Sequence, residues 1–512
     1  MHPRLFSDSK PTSVALADVA TNRTITYREL EQRANRVAHA LRSLGLANGE
    51  ALGLLCNNCP EFMDVYWGAQ RCGVTLVPLS TRLTPNEVVY IVNDSGAKVL
   101  VVSAAIADAV QGVATARAAM QGLEHLLSIG QAPGVPSWDT LCAAQPDSPI
   151  GDENIGVRMT YSSGTTGRSK GIRSALVAGS PIQPNPGAGL FGKLYALGPD
   201  SIYLVCAPFY HAAPLGFAAV IQSLGGEVVL MERFDAEALL AAIERYRVTA
   251  VQLVPTMMIR LLKLPQSVRR RYDLSSLRTV IHSAAPCPIP VKRAMIEWLG
   301  PIVYEYYAGS EGNGHTSITS EEWLRKPGSV GRAVVGTIHI CDDNGDERTI
   351  GETGAVYFSG GRSFTYHNDL AKTEASRNPK HPDWSTMGDI GRVDADGYLY
   401  LSDRKDFMII SGGVNIYPQE VESVLVTHPA VADVAVFGVP HPEFGEEVKA
   451  VVQPVTWEQS GTALAAELMT WCRTQLADLK CPRSIDFERV LPRGENGKLY
   501  KKDLKARYWA NA

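Results

Sequence analysis

The stretch YSSGTTGRSKG, residues 161–171, decides how this chain is read. It holds three glycines, five serine or threonine hydroxyls and Lys170, and it follows a short apolar-rich run at 156–160. Glycines let backbone N–H groups close on an anion, and consecutive turn amides make a concave anion site. Hydroxyls add donors toward phosphate oxygens, and the lysine adds a point charge. The G-x-x-x-x-G-K-[ST] spacing of a Walker loop is absent. Composition alone leaves two readings, a polyphosphate cradle or a flexible polar loop, and the density of donors favours the cradle.

On the N-terminal side of this loop, helical and strand patterns alternate. Thr26 and Glu29 form a capping box ahead of Leu30, Ala34, Val37, Leu41 and Leu44 at helical spacing. Strand-like runs at 51–56, 74–79 and 98–103 are separated by helical patterns at 60–71 and from Thr84-Pro85-Asn86-Glu87 onward. Similar strands recur at 201–205, 227–231, 250–254 and 279–282. Such alternation implies layered α/β structure with much parallel pairing. Beyond residue 330, Asp/Gly turns at 342–345 and 394–397 separate short strands, which predicts an antiparallel β-rich subdomain. The last hundred or so residues, with a helix at 418–427 and strands at 434–439 and 447–452, have the size of one small α+β domain. The expected division is a large domain at 1–404 and a small mobile one at 405–512.

A chain of 512 residues exceeds one hydrophobic core. Its net charge of −4, with no dense basic run, excludes nucleic-acid binding through a basic face. No apolar stretch is long enough to span a bilayer, and the first ten residues lack a signal-peptide core, so a cytoplasmic location is expected. Nine scattered cysteines suit a reducing compartment. Cys56 and Cys59 make one C-x-x-C without a second pair, and they are read as packing residues.

Taken with the loop, segments at 207–211, 283–286, 306–311, 386–389, 403–406, 410–415, 480–483 and 492–498 occur in an order and spacing that resemble the acyl-adenylate-forming enzymes. That family includes acyl-CoA synthetases, peptide-synthetase adenylation domains and luciferases. The resemblance spans nearly the whole chain. It implies that Ser162, Ser163, Gly164, Thr165, Thr166, Gly167 and Lys170 hold the β and γ phosphates of ATP. Ser169 stands where most members have proline, which implies a less rigid loop. In Tyr306-Tyr307-Ala308-Gly309-Ser310-Glu311, similar to the family's Y-G-x-T-E, Tyr307 would stack on adenine and Ser310 would touch phosphate. Glu311 would ligate Mg²⁺, a hard cation suited to carboxylate and water oxygens. Ala308 replaces the usual glycine. Ala284 and Ala285 would lie beneath the adenine, where bulk would block the ring.

Asp389, in Thr386-Met387-Gly388-Asp389, would accept both ribose hydroxyls, and Arg404 would contact ribose or phosphate. Asp406 falls on the family's interdomain hinge, and Gly412 with Gly413 on the loop lining the thioester-forming channel. Lys498, in the P-x-x-x-x-G-K match, would neutralise charge between the substrate carboxylate and the α-phosphate. His211, in Ala207-Pro208-Phe209-Tyr210-His211, would sit between acyl pocket and nucleotide. Read locally, Glu311 and Lys498 are solvated charges, Asp389 and Gly412-Gly413 belong to turns, and His211 is a structural histidine; the resemblance promotes them.

The implied reaction needs no protein nucleophile, because the substrate carboxylate attacks the α-phosphate and CoA then takes the acyl group. The leading expectation is an acyl-CoA ligase. A carrier-protein adenylation enzyme and a non-catalytic nucleotide-binding relative are the rivals. Residues 207–217 contain no Asp or Glu to hold an amino group, and no carrier domain is expected after Lys498. The small residues Gly312, Asn313 and Gly314 leave room for a hydrophobic monocarboxylic acid of fatty, aryl or steroid-side-chain type. The oligomeric state stays open, with a homodimer among the options.

Overall fold

The structure, a computed structural model, describes residues 2–162, 169–173, 176, 179–181, 186–404, 407–493 and 499–509, with Ser162 and Pro186 by backbone alone. The chain divides into two compact units. The first comprises Met1–Leu253, Leu264–Ile281 and Ser363–Thr373, and the second Val254–Lys263, His282–Arg362 and Glu374–Ala512.

Within the first unit, a seven-stranded sheet runs in the order Thr365–Tyr366, Lys170–Arg173, Val157–Ser162, Thr75–Leu79, Ala51–Leu55, Ala97–Ser103, His125–Ile129. The strands from Val157–Ser162 to His125–Ile129 pair in parallel. The other two pairings are antiparallel. The two strands that flank the glycine-rich loop therefore pair antiparallel at the margin of a parallel sheet. Ala51–Leu55 and Thr75–Leu79 are buried along their whole length, as central strands covered on both faces must be. A second set of strands runs Thr279–His282, Ala250–Leu253, Ile202–Val205, Glu227–Leu230, Val14–Asp18, Thr24–Thr26.

Local signals set the helices. Thr26 and Glu29 close their capping box on Tyr27–Ser43, which buries Leu30, Ala34, Val37 and Leu41. Leu44 does not extend that stripe: it is the C-cap, and Leu46, past the Gly45 turn, takes the buried place. Thr84 and Glu87 cap Pro85–Ser95, and Gly96 ends that helix in the left-handed region. Cys56 is buried with its sulfur 3.4 Å from that of Cys59.

The second unit carries the β-rich part. Val303–Ala308, His315–Ile318 and Arg332–Val335 pair antiparallel. A four-stranded antiparallel sheet follows in the order Thr337–Cys341, Gly354–Ser359, Ser385–Val393, Leu399–Arg404. The C-terminal segment builds its own sheet from Val414–Ile416, Ile409–Ser411, Gly445–Pro454 and Val431–His441, with Ser484–Phe487 parallel to Gly445–Pro454. Helices Pro418–Leu425, Thr462–Arg473 and Lys501–Trp509 accompany this sheet, giving the small α+β fold expected. Among the described residues, no helix is long and apolar enough to cross a membrane.

Candidate active site

In the first unit, register places Tyr161 opposite Gly171 and Ser162 opposite Lys170, so the loop springs from a fixed base. The Tyr161 hydroxyl donates to Asp94 Oδ2 at 2.6 Å, at the end of the helix Pro85–Ser95. Burial first, and then the Asp94 carboxylate, hold that phenol well above its ordinary pKa. Tyr90, one turn earlier on the same helix, donates its hydroxyl to the Ser169 carbonyl at 3.1 Å. Lys170 Nζ lies 2.6 Å from Asp369 Oδ2, and this hydrogen bond raises the ammonium's pKa. Ser163, Gly164, Thr165, Thr166 and Gly167 lie outside the described residues.

His211 is the N-cap residue of the helix Ala212–Leu224, its ring 4.4 Å from that of Tyr210. The segment before it is fixed by Asn58, a buried residue that the sequence did not single out. Asn58 Nδ2 donates to the carbonyls of Ala207 and Met231, both at 3.0 Å, and Phe209 N donates to Asn58 Oδ1 at 2.8 Å. A polar side chain inside the run ALGLLCNNCP was the available signal.

The second unit brings Tyr307, Asp389 and Arg404 together. Tyr307 ends its hydroxyl on Asp389 Oδ2 at 2.6 Å, while Arg404 Nε lies 3.3 Å from Asp389 Oδ1. Antiparallel register sets Asp389 directly across from Arg404. Burial pushes the Asp389 carboxyl above its usual range, against the opposing pull of Arg404 and of the Tyr307 hydrogen bond. A buried carboxylate with its two oxygens separately oriented is a preorganised acceptor for a diol. Gly309 lets the following turn press on the same strand: a Cβ there would collide with Met387 Sδ and meet Glu311 Oε2. Ser310 is exposed and Glu311 half-buried beside that turn. Among the described residues no three metal-ligating side chains cluster. A lone carboxylate such as Glu311 would suit Mg²⁺, a cation that keeps most of its ligands from water and substrate phosphates.

Ala284 takes the left-handed conformation, φ +76°, in the turn that leaves the strand Thr279–His282. For a residue with a Cβ this strain costs on the order of 1 kcal/mol, and such strain gathers at functional turns. Directly before it, His282 Nε2 is 3.5 Å from Glu305 Oε2, and the same oxygen accepts from Lys292 Nζ at 2.6 Å. All three side chains are buried, and Lys292 also lies 4.9 Å from the Trp323 ring centroid. Burial, with Lys292 adding to it, drives His282 far below its ordinary pKa, so the ring is neutral. Sequence reading missed this cluster; a lysine between the buried Val291 and Met295 of the helix Ile289–Leu299 was its only local trace.

In the C-terminal segment, Gly412 and Gly413 are the two central residues of the turn joining Ile409–Ser411 to Val414–Ile416. Their φ values of +55° and +79° are those of a tight type I′ hairpin, which side-chain-bearing residues resist. Asp406 and Lys498 lie outside the described residues. On either side of residues 494–498, Arg493 and Leu499 form a β-bridge, and Arg493 Nη2 donates to Asp433 Oδ1 at 2.7 Å.

Comparison with known proteins gives one consistent result. The family described as AMP-binding enzyme matches residues 6–365, and the AMP-binding enzyme C-terminal domain matches residues 420–498. The chain is 34% identical over 487 residues to a feruloyl-CoA synthase from Amycolatopsis sp, covering 94% of each protein. It is 32% identical over 512 residues to the long-chain-fatty-acid–CoA ligase FadD13 of Mycobacterium tuberculosis, covering 98% of this chain and 96% of that one. Its fold matches the crystal structure of the anthranilate CoA ligase AuaEII in complex with anthranoyl-AMP with a TM-score of 0.85. That match has 26% identity and covers 99% of this chain and 96% of the other.

Proposed function

The chain belongs to the AMP-binding enzyme family, and on that premise we propose that it joins a hydrophobic monocarboxylic acid, of fatty, aryl or steroid-side-chain type, to coenzyme A. It is an AMP-forming acid–thiol ligase. The observation that carries the choice of thiol is the near end-to-end correspondence with two CoA ligases of different acid classes. The absence of Asp and Glu from residues 207–217 supports an acid without an amino group.

In the first half-reaction a substrate carboxylate oxygen attacks the α-phosphorus of ATP, the bond to the β-phosphate breaks, and pyrophosphate leaves. Asp389 accepts the ribose hydroxyls, held in place by the Tyr307 hydroxyl and Arg404. The Tyr307 ring and the Ala284-Ala285 turn enclose the adenine. Lys170, with Ser162, Ser163, Gly164, Thr165, Thr166 and Gly167, grips the β and γ phosphates, and Ser310 adds a hydroxyl donor. Glu311 would hold Mg²⁺, which would supply positive charge beside the phosphates when bound. Lys498 offsets the charge shared between carboxylate and α-phosphate. Positioning and charge stabilisation of this kind carry most of the catalysis in transfers at phosphorus.

In the second half-reaction the CoA sulfur attacks the acyl carbon, and AMP leaves with the bonding electrons. His211 borders the acyl group, and the Gly412-Gly413 turn lines the thiol's approach after the segment beyond Asp406 rotates and withdraws Lys498. A mobile small domain suits two steps that share one hydrolysable anhydride. The test is pyrophosphate release and thioester yield with ferulate, indoleacetate, hexadecanoate and a steroid-side-chain acid. Each is offered CoA or a pantetheine-loaded carrier protein. At least one hydrophobic acid should turn over with CoA and not with the carrier; turnover confined to the carrier, or to amino acids, would refute the proposal.

A further inference from the structure

The phosphate-loop lysine meets a carboxylate that is fixed without it. Asp369 Oδ1 accepts from Lys372 N at 3.0 Å, and the Asp369 carbonyl accepts from Thr373 N and Thr373 Oγ1 at 3.1 and 2.9 Å. Its two predecessors are tied to the end of the helix Pro85–Ser95, where the Asp94 carbonyl accepts from His367 Nε2 at 2.9 Å and from Asn368 Nδ2 at 3.2 Å. His367 N in turn donates to the Gly171 carbonyl at 2.7 Å, locking this segment to the strand that carries Lys170. With Oδ1 engaged by Lys372 N, Oδ2 of Asp369 faces the lysine, and the two charges meet at 2.6 Å.

The pair is thus asymmetric. The anion is held by backbone contacts and cannot follow, whereas the ammonium rides on four rotatable bonds. A neutralised lysine attracts a weakly charged anion little; a polyphosphate carries enough charge to draw it from a single carboxylate. We propose that Asp369 is a specificity-determining positioning residue: it holds Lys170 until a polyphosphate displaces it, and it recovers the ammonium as pyrophosphate departs. Its own lowered pKa, caused first by the hydrogen bond from Lys170, keeps it anionic at neutral pH. This rests on the reading that Lys170 grips the β and γ phosphates.

The experiment uses Asp369→Asn in the full chain, since asparagine keeps the cap on Lys372 N and removes only the charge. The KM for ATP and the inhibition constant of pyrophosphate should both fall about three- to fivefold, the reach of one partly exposed ion pair. The inhibition constant of AMP, which has no β phosphate to meet Lys170, should stay constant. Lys170→Met should raise the KM for ATP and the pyrophosphate constant, and adding Asp369→Asn to it should change nothing further. Unchanged or raised constants in Asp369→Asn, with Lys170→Met behaving as stated, overturn the inference and leave the reading of Lys170 intact. A parallel shift in the AMP constant marks a general structural effect and also overturns it. If Lys170→Met itself leaves ATP and pyrophosphate unaffected, both fail. Asp369→Ser, also a good cap, carries the same expectations should the asparagine variant fold poorly.

Discussion

Replacing Lys292 by methionine tests whether the buried charges behind the Ala284 turn act as a unit. Lys292 and Glu305 meet at 2.6 Å with both side chains out of solvent, and His282 Nε2 lies 3.5 Å from the same carboxylate oxygen. Removing one member of a buried pair leaves the other charge without compensation, a cost of about 3–5 kcal/mol. Replacing both by apolar residues of similar volume removes the desolvation cost along with the attraction, so Lys292→Met/Glu305→Leu should lie within about 1 kcal/mol of the parent. The single-variant costs should therefore fail to add by far more than the about 0.5 kcal/mol scatter of independent sites. The cost of Lys292→Met should also depend on pH. Burial already raises the Glu305 pKa against the pull of Lys292, and losing the cation raises it further. A carboxyl whose folded-state pKa exceeds its unfolded value favours the folded state at low pH and loses that contribution as pH rises. Lys292→Met should thus be less destabilised at pH 5 than at pH 8. Urea unfolding of the three variants at both pH values reads all of this, and the KM for ATP reports whether the adjoining turn at 283–286 has shifted. A double variant as unstable as the singles, or singles costing under about 1 kcal/mol, would refute the reasoning.

Lys498→Ala should slow adenylate formation by about 10²–10³-fold while sparing thioester formation from synthetic acyl-AMP, read by separate half-reaction assays; equal loss in both would contradict that division. Ser169→Pro should lower the KM for ATP by stiffening the end of the loop, and unchanged or weaker ATP affinity would count against it. His315, pushed down to about 4 by burial and stacked 4.8 Å from Tyr306, is neutral when folded. The unfolded chain takes up its proton first as pH falls, so stability should drop by about 3 kcal/mol between pH 6.5 and 4 on its account. His315→Phe, which keeps a ring on Tyr306, should flatten that part of the profile in urea unfolding.

What could be read in advance follows the range of the forces involved. Capping boxes at Thr26–Glu29 and Thr84–Glu87 act over three residues and appear in the structure as written in the sequence. Strand order does not, because Lys170–Arg173 pairs with Thr365–Tyr366 from nearly two hundred residues away. The stripe ending at Leu44 overshot for a local reason, as Gly45 turns the chain and hands the buried place to Leu46. In the site, residues inside contiguous motifs were legible: Tyr307, Asp389 and Arg404 were named and do converge. Their supports were not. Asp94 beneath Tyr161, Asp369 beside Lys170, Asn58 under the 207–209 segment and the Lys292–Glu305 pair are single polar residues whose partners are set by tertiary packing.

The central claim is that the acid's own carboxylate attacks the α-phosphorus. The direct measurement is one turnover with an acid labelled with ¹⁸O in both carboxylate oxygens, followed by mass spectrometry of AMP, pyrophosphate and acyl-CoA. One label should appear in AMP and one in the thioester carbonyl, with none in pyrophosphate. Label in pyrophosphate or orthophosphate, or AMP without label, would contradict an acyl-adenylate route.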